Sequence, residues 1–122
     1  MENKTILVIE DDELNMKLVK SLLQLKNYAV LGAETAETGI QLARKRKPDL
    51  ILMDIQLPGM DGIEATKRIL KDSALKNIPI IAVSSYAMQE DKKKAFTAGF
   101  KEYITKPIDK ESLLSTIRKY LN

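Results

Sequence analysis

The sequence predicts a doubly wound α/β fold: one sheet of five parallel strands, each followed by a helix, with helices on both faces. Three observations predict it. Short apolar runs recur without the polar alternation of a half-exposed strand, the pattern of strands covered on both sides. Helical periodicity occupies the intervals between them, and polar residues able to do chemistry stand directly after several of the runs.

Ile6 to Ile9 is the first strand. The next segment repeats Leu14, Leu18, Leu22 and Leu25 at spacings of four and three, one apolar stripe along a helix. A shorter, mixed run at Tyr28 to Leu31 predicts the second strand, and Leu50 to Met53 the third. Asp61 caps the helix that follows, with Glu64 three residues on as an acidic capping box and Ile63 and Ile69 inside the helix. Ile80 to Val83 is the fourth strand; Gly99 after Ala98 stops the helix behind it. Glu102 to Thr105 fits a fifth, weaker strand. Asp109 caps the last helix, whose Leu113, Leu114, Ile117 and Leu121 face inward. Strand and helix thus alternate five times, with no repeat, proline-rich linker or low-complexity stretch, so residues 1–122 read as one domain.

Bulk properties exclude several classes of function. At 122 residues, 44% apolar and 30% charged, the chain suits a single core and is too hydrophobic to be disordered. No apolar run approaches the roughly 20 residues of a membrane span, and Met1-Glu2-Asn3-Lys4 leads straight into the first strand, so a cytoplasmic location is expected. The absence of cysteine and histidine removes disulfides, thiolate nucleophiles, the usual zinc sites and imidazole acid–base chemistry. Carboxylates, hydroxyls and lysines remain. The net charge of +3 is concentrated in Arg44 to Lys47 and Lys92 to Lys94, but neither run is interleaved with aromatics or set in a DNA-reading motif. Both read as solvated helix surface, with no nucleic-acid partner.

Both strand orders usual for doubly wound sheets place a crevice at the carboxyl ends of the strands, where the order reverses. Glu10 and Asp11 follow the first strand, Asp54 ends the third, Ser84 ends the fourth and Lys106 follows the fifth. In the order 2-1-3-4-5 the first and third strands are neighbours, and Glu10, Asp11 and Asp54 converge. Two carboxylates about 4 Å apart repel by about 4 kcal/mol at an effective dielectric near 20. Such a cluster takes up a proton or a cation, and oxygen-only ligands favour a hard ion such as Mg²⁺, which keeps several of its waters. Asp12 reads as a helix cap. Lys106 precedes Pro107, where a cis peptide could aim the ammonium into the crevice. A lysine, a hydroxyl and a divalent cation around a carboxylate suit a phosphoryl group, with the carboxylate attacking phosphorus to give an acyl phosphate.

Ile6-Leu7-Val8-Ile9-Glu10-Asp11-Asp12, Asp49-Leu50-Ile51-Leu52-Met53-Asp54-Ile55-Gln56-Leu57-Pro58-Gly59-Met60-Asp61-Gly62, Val83-Ser84-Ser85 and Tyr103-Ile104-Thr105-Lys106-Pro107 together resemble the receiver domain of two-component response regulators. The resemblance covers essentially the whole chain. The stretch from Glu10 to Leu18 looks most like single-domain regulators of the DivK type, and receivers excised from hybrid histidine kinases look similar.

The resemblance implies a flavodoxin-like receiver fold with strand order 2-1-3-4-5. It implies that Asp54 accepts the phosphoryl group, and that Glu10 and Asp11 hold Mg²⁺ with Asp54 and the backbone carbonyl of Gln56. Ser84 and Lys106 would each meet a phosphoryl oxygen, and Tyr103 would be an aromatic switch that turns inward as Ser84 is drawn to the phosphate. The position of Tyr103 is also open to a second reading, an aromatic packed at a sheet edge. Two residues depart from the commonest pattern: Glu10 where aspartate is more frequent, and Ser84 where threonine is.

The same resemblance implies a sensor histidine kinase or histidine phosphotransfer protein as donor, on a separate chain or domain since this one has no histidine. It also implies an effector on the fourth helix, fifth strand and last helix, and a monomer or weak dimer. The only chemistry would be the chain's own phosphorylation and slow dephosphorylation. A magnesium-dependent phosphatase of the haloacid dehalogenase class would need an acid two residues after the nucleophile, where Gln56 stands. A flavin-binding protein would not place Glu10, Asp11 and Asp12 in its phosphate loop, and no G-x-x-x-x-G-K-[ST] loop is present. A pseudo-receiver acting purely by docking is the remaining alternative. The last expected helix runs almost to Asn122, so either output passes through protein contacts or the chain is cut from a larger protein.

Overall fold

The computed structural model describes residues 3–121; Met1, Glu2 and Asn122, which the sequence reading used at the two ends, lie outside the described residues. In chain order the elements are β1 (Thr5–Ile9), α1 (Glu13–Leu25), β2 (Ala29–Ala33), α2 (Ala36–Arg46), β3 (Leu50–Asp54), α3 (Gly62–Lys71), β4 (Ile80–Ser84), α4 (Gln89–Ala98), β5 (Glu102–Thr105) and α5 (Lys110–Leu121). The strands form one parallel sheet in the order β2-β1-β3-β4-β5.

Strand periodicity divides the core in two. Leu7, Ile9, Ile51, Met53, Ile80 and Ala82 face α2, α3 and α4, where they meet Ile40, Ala43, Ala65 and Ile69. Ile6, Val8, Leu50, Leu52, Ile81 and Val83 face α1 and α5, against Val19, Leu23, Leu113, Leu114 and Ile117. Each fully buried Leu or Ile contributes roughly 1.5–3 kcal/mol. Burial on both faces explains the continuous apolar runs, and all five residues of β3 and of β4 are buried.

The caps fall where the turn chemistry demands. Asp61 accepts from the Glu64 N–H at 2.9 Å, and Asp109 from the Ser112 N–H at 2.9 Å. Gly99 ends α4 at φ 119°, a left-handed conformation that L side chains rarely adopt.

Two expectations need correction. The second strand runs from Ala29 to Ala33 and not from Tyr28 to Leu31, because it pairs with β1 along all five residues. The leucine stripe of α1 does not face the core. Leu14, Leu18 and Leu25 are 76%, 52% and 74% exposed, whereas Val19 and Leu23 are buried and Met16 and Leu22 partly so. Both sets have helical spacing, and the sheet takes the one that carries Val19 and Leu23. Among the described residues, no helix is long and apolar enough to cross a membrane.

Candidate functional site

The parallel register builds the site. Ile9 lies beside Met53, so Glu10 and Asp54 leave neighbouring strands at the same height. Asp54 in turn lies beside Val83, and Ser84 beside Thr105. The Lys106 N–H donates to the Ser84 carbonyl at 2.8 Å, which carries the lysine to the same edge. Each side chain is thus placed by a strand end.

Glu10 and Asp54 are 4% and 3% exposed; Asp11 is exposed. Carboxylate oxygens from the three lie within 4.8 Å of one another. Opposite ligands of one Mg²⁺ ion stand about 4 Å apart, so a small inward adjustment of this oxygen-only set would hold the ion. Lys106 Nζ stands 2.9 Å from both Glu10 Oε1 and Asp54 Oδ2 and offsets one of the negative charges. The Lys106-Pro107 peptide is cis.

Burial pushes the Glu10 carboxyl above its usual range, and the neighbouring Asp54 adds to this against the opposing effect of Lys106. For Lys106 burial acts to lower the ammonium pKa, but the bonds to Asp54 and Glu10 outweigh it and the net direction is upward. The ammonium is therefore held charged.

Asp12 caps α1, its side chain accepting from the Asn15 N–H at 2.9 Å. Gly62 stands against the backbone of Asp54 and Ile55. A Cβ at Gly62 would lie 2.6 Å from the Asp54 carbonyl oxygen, and the Gly62 N–H donates to the Ile55 carbonyl at 3.0 Å. The chain can fold back against the acid only without a side chain there.

Ser84 is fully buried, and Tyr103 is half-buried with its hydroxyl donating to the Tyr86 carbonyl at 2.6 Å. A cavity of about 60 Å³ lies between them, lined in part by Ile55, Gln56 and Ile63. Lys92 Nζ stands 6.0 Å from the Tyr103 ring centroid. The basic run Arg44 to Lys47 ends α2 on the surface, with Arg44 bonded to Asp72 at 3.1 Å; Lys93 and Lys94 are also exposed.

Two features escaped the sequence reading. One is the Lys106–Glu10 pair. The other is the Gln56 side chain, whose Nε2 lies 2.5 Å from Ser84 Oγ while its backbone N–H donates to Asp54 Oδ1 at 3.0 Å. The only signal for it in the sequence is its place two residues after Asp54.

The chain is similar to known proteins in both sequence and fold. The family described as response regulator receiver domain matches residues 6–118. The polar-differentiation response regulator DivK of Brucella anthropi is 42% identical over 97% of this chain and 96% of its own. The chemotaxis response regulator CheY4 of Vibrio cholerae superposes with a TM-score of 0.93 at 27% identity, covering 98% of this chain and 100% of that one. The receiver domain of a sensor histidine kinase from Pseudomonas aeruginosa PAO1, with a magnesium ion coordinated in its active-site cleft, superposes with a TM-score of 0.90 at 28% identity, covering 98% of each chain.

Proposed function

The chain belongs to the response regulator receiver domain family, and from that membership and its acid cluster we propose that it is a phosphoacceptor switch in which Asp54 is the acceptor. The observation that carries the reading is the convergence of Lys106 on a buried Asp54 beside two further acids. Glu10, Asp11, Asp54 and the Gln56 backbone carbonyl would hold Mg²⁺, as the Pseudomonas receiver holds it in its cleft. When bound, the ion neutralises the acids and the charge that develops on the phosphoryl oxygens.

An Asp54 oxygen attacks the phosphorus of a phosphohistidine in line. The oxygen–phosphorus bond forms as the phosphorus–nitrogen bond breaks, and the electron pair leaves with the donor imidazole, which takes a proton from solvent. Lys106, already charged and against Asp54, stays with the growing negative charge. Ser84 donates its hydroxyl proton to a phosphoryl oxygen. Tyr103 follows through the Tyr86 carbonyl, and the small cavity beside Ser84 leaves room for that repacking.

The donor is a histidine kinase or phosphotransfer protein, since this chain has no histidine. The exposed ridge of Leu14, Leu18 and Leu25 starts beside Asp12 at the mouth of the site and suits an apolar partner helix. The output face is α4, β5 and α5. In α4 only Ala95 is buried, no side chain caps the helix, and Met88 and Phe96 are exposed, so it is the helix least anchored to the sheet. The protein works as a cytoplasmic monomer or weak dimer, without nucleic acid, and catalyses only its own phosphorylation and its slow reversal.

Incubation with acetyl phosphate and Mg²⁺ tests the reading. A mass gain of one phosphoryl group on Asp54, absent in Asp54→Asn and in chelator, is expected. No gain in the unaltered chain overturns it in favour of a docking module.

A further inference from the structure

The side chain of Gln56 joins the two loops that flank the site. Its Oε1 accepts the Ser85 N–H at 3.2 Å, and a backbone N–H is only a donor, so the orientation of the carboxamide is fixed by its partner. Nε2 then faces Ser84 Oγ and donates to it at 2.5 Å. The Tyr86 N–H donates to the same oxygen at 3.0 Å, so both lone pairs of the hydroxyl are engaged. The Tyr86 carbonyl accepts from Tyr103 at 2.6 Å. One continuous path of hydrogen bonds therefore runs from Asp54 through Gln56, Ser84 and Tyr86 to Tyr103.

Both groups that Gln56 holds, the Ser84 hydroxyl and the Ser85 N–H, can donate to a phosphoryl oxygen, and both sit one loop away from the acceptor. Bringing either donor onto a phosphorylated Asp54 draws the β4–α4 loop away from its present tether. We propose that the Gln56 carboxamide is a latch that holds the β4–α4 loop in its unphosphorylated setting, and that phosphorylation opens it. This rests on the phosphoacceptor reading above. Gln56 is here a positioning residue: its side chain acts through Ser84 and Ser85, while its backbone serves the acid.

One latch opens two hydrogen bonds, and the net contribution of one such bond corresponds to roughly twofold to tenfold in an equilibrium. Gln56→Met keeps the length of the side chain and removes both bonds. The test uses the ¹⁵N-labelled chain with Mg²⁺, before and after addition of beryllofluoride. In the unaltered protein the side-chain amide signals of Gln56 and the backbone signals of Ser85 and Tyr86 shift on addition. In unliganded Gln56→Met, the Ser85 and Tyr86 signals already lie part of the way along the line joining those two positions, corresponding to an open-to-closed ratio larger by roughly fourfold to hundredfold, the product for two bonds. Gln56→Ala repeats the measurement with a shorter side chain, and the thermal midpoint of each variant is recorded alongside. A merely structural role would lower the midpoint without moving the signals along that line, and would overturn the proposal. So would Gln56 amide signals that stay in place while Ser85 shifts. If the unaltered chain neither responds to beryllofluoride nor takes phosphate from acetyl phosphate, the phosphoacceptor reading itself falls.

Discussion

Lys106 Nζ lies 2.9 Å from Glu10 Oε1, in an ion pair where the glutamate side chain is 5% exposed. Burial still leaves the Glu10 carboxyl above its ordinary value near 4.5, so the folded chain binds this proton more tightly than the unfolded one. The contribution of Glu10 to stability is therefore present below the unfolded value and lost as pH rises through the raised folded value. Near neutral pH, without metal, its charge destabilises the fold. Glu10→Gln is expected to raise the urea midpoint in chelator near pH 7, by an amount equivalent to at most about 1 kcal/mol of unfolding free energy, with the gain vanishing in acid. A lower midpoint at neutral pH would mean that the lysine pair outweighs the burial.

Asp11 is the exposed member of the acid cluster, so its loss disturbs little besides the metal. Mg²⁺ at a hundred times its dissociation constant should stabilise the unaltered chain by about 2.7 kcal/mol. Asp11→Asn should lose most of this while unfolding normally in chelator. Equal stabilisation of both proteins would exclude Asp11 from the metal site.

Gly62 abuts the backbone of Asp54, with 2.6 Å between a built Cβ and the Asp54 carbonyl oxygen. Backbone cannot give way as a flexible side chain does. Gly62→Ala is expected to destabilise the fold by about 1–3 kcal/mol and to slow phosphorylation by acetyl phosphate, since the strain falls on Asp54 itself. Normal kinetics in a stable variant would disprove the coupling.

The two leucine sets of α1 separate packing from docking. Leu23→Ala removes a fully buried side chain and should cost about 2–5 kcal/mol. Leu18→Ser, on the exposed ridge, should stay within about 0.5 kcal/mol of the unaltered stability yet weaken phosphotransfer from the histidine donor. Unchanged transfer rates in a Leu14→Ser, Leu18→Ser double variant would remove the ridge from the donor interface.

At the end of β5 away from the site, Glu102 Oε2 accepts from the Tyr120 hydroxyl at 2.6 Å and from Lys119 Nζ at 2.9 Å. The tyrosine bond first, then the lysine, holds the Glu102 carboxyl below its usual range. Its contribution is present above the ordinary value near 4.5 and is lost as pH falls through the depressed folded value. The same bond raises the Tyr120 pKa, so at the alkaline end it persists until pH passes that raised value. Glu102→Gln should match the unaltered protein once pH lies below the depressed folded value and be less stable near pH 7, by no more than about 1 kcal/mol because the group is partly exposed. A constant difference across the acid range would contradict this.

The acids were legible because each stands one step past an apolar run, and strand ends in a parallel sheet share an edge. Glu10, Asp11, Asp54 and Lys106 meet as their places in the chain suggested. The outward face of α1 was not legible, since Leu14, Leu18 and Leu25 repeat as regularly as Val19 and Leu23. Periodicity reports a helix without saying which of two apolar faces the sheet will take. The role of the Gln56 side chain was invisible for another reason: its partners Ser84 and Ser85 are 28 and 29 residues away, and their nearness depends on how two loops close.

β3 is buried along its whole length and bonded on both sides, to β1 and to β4. Asp54 is its last residue, so a phosphate carried there would be mounted on a strand enclosed on every side. A rigid mount absorbs none of the work done by the new charge. Every displacement must be made by the peripheral loops and by α4, and amide exchange should register phosphorylation there while β3 keeps its slowest-exchanging protons.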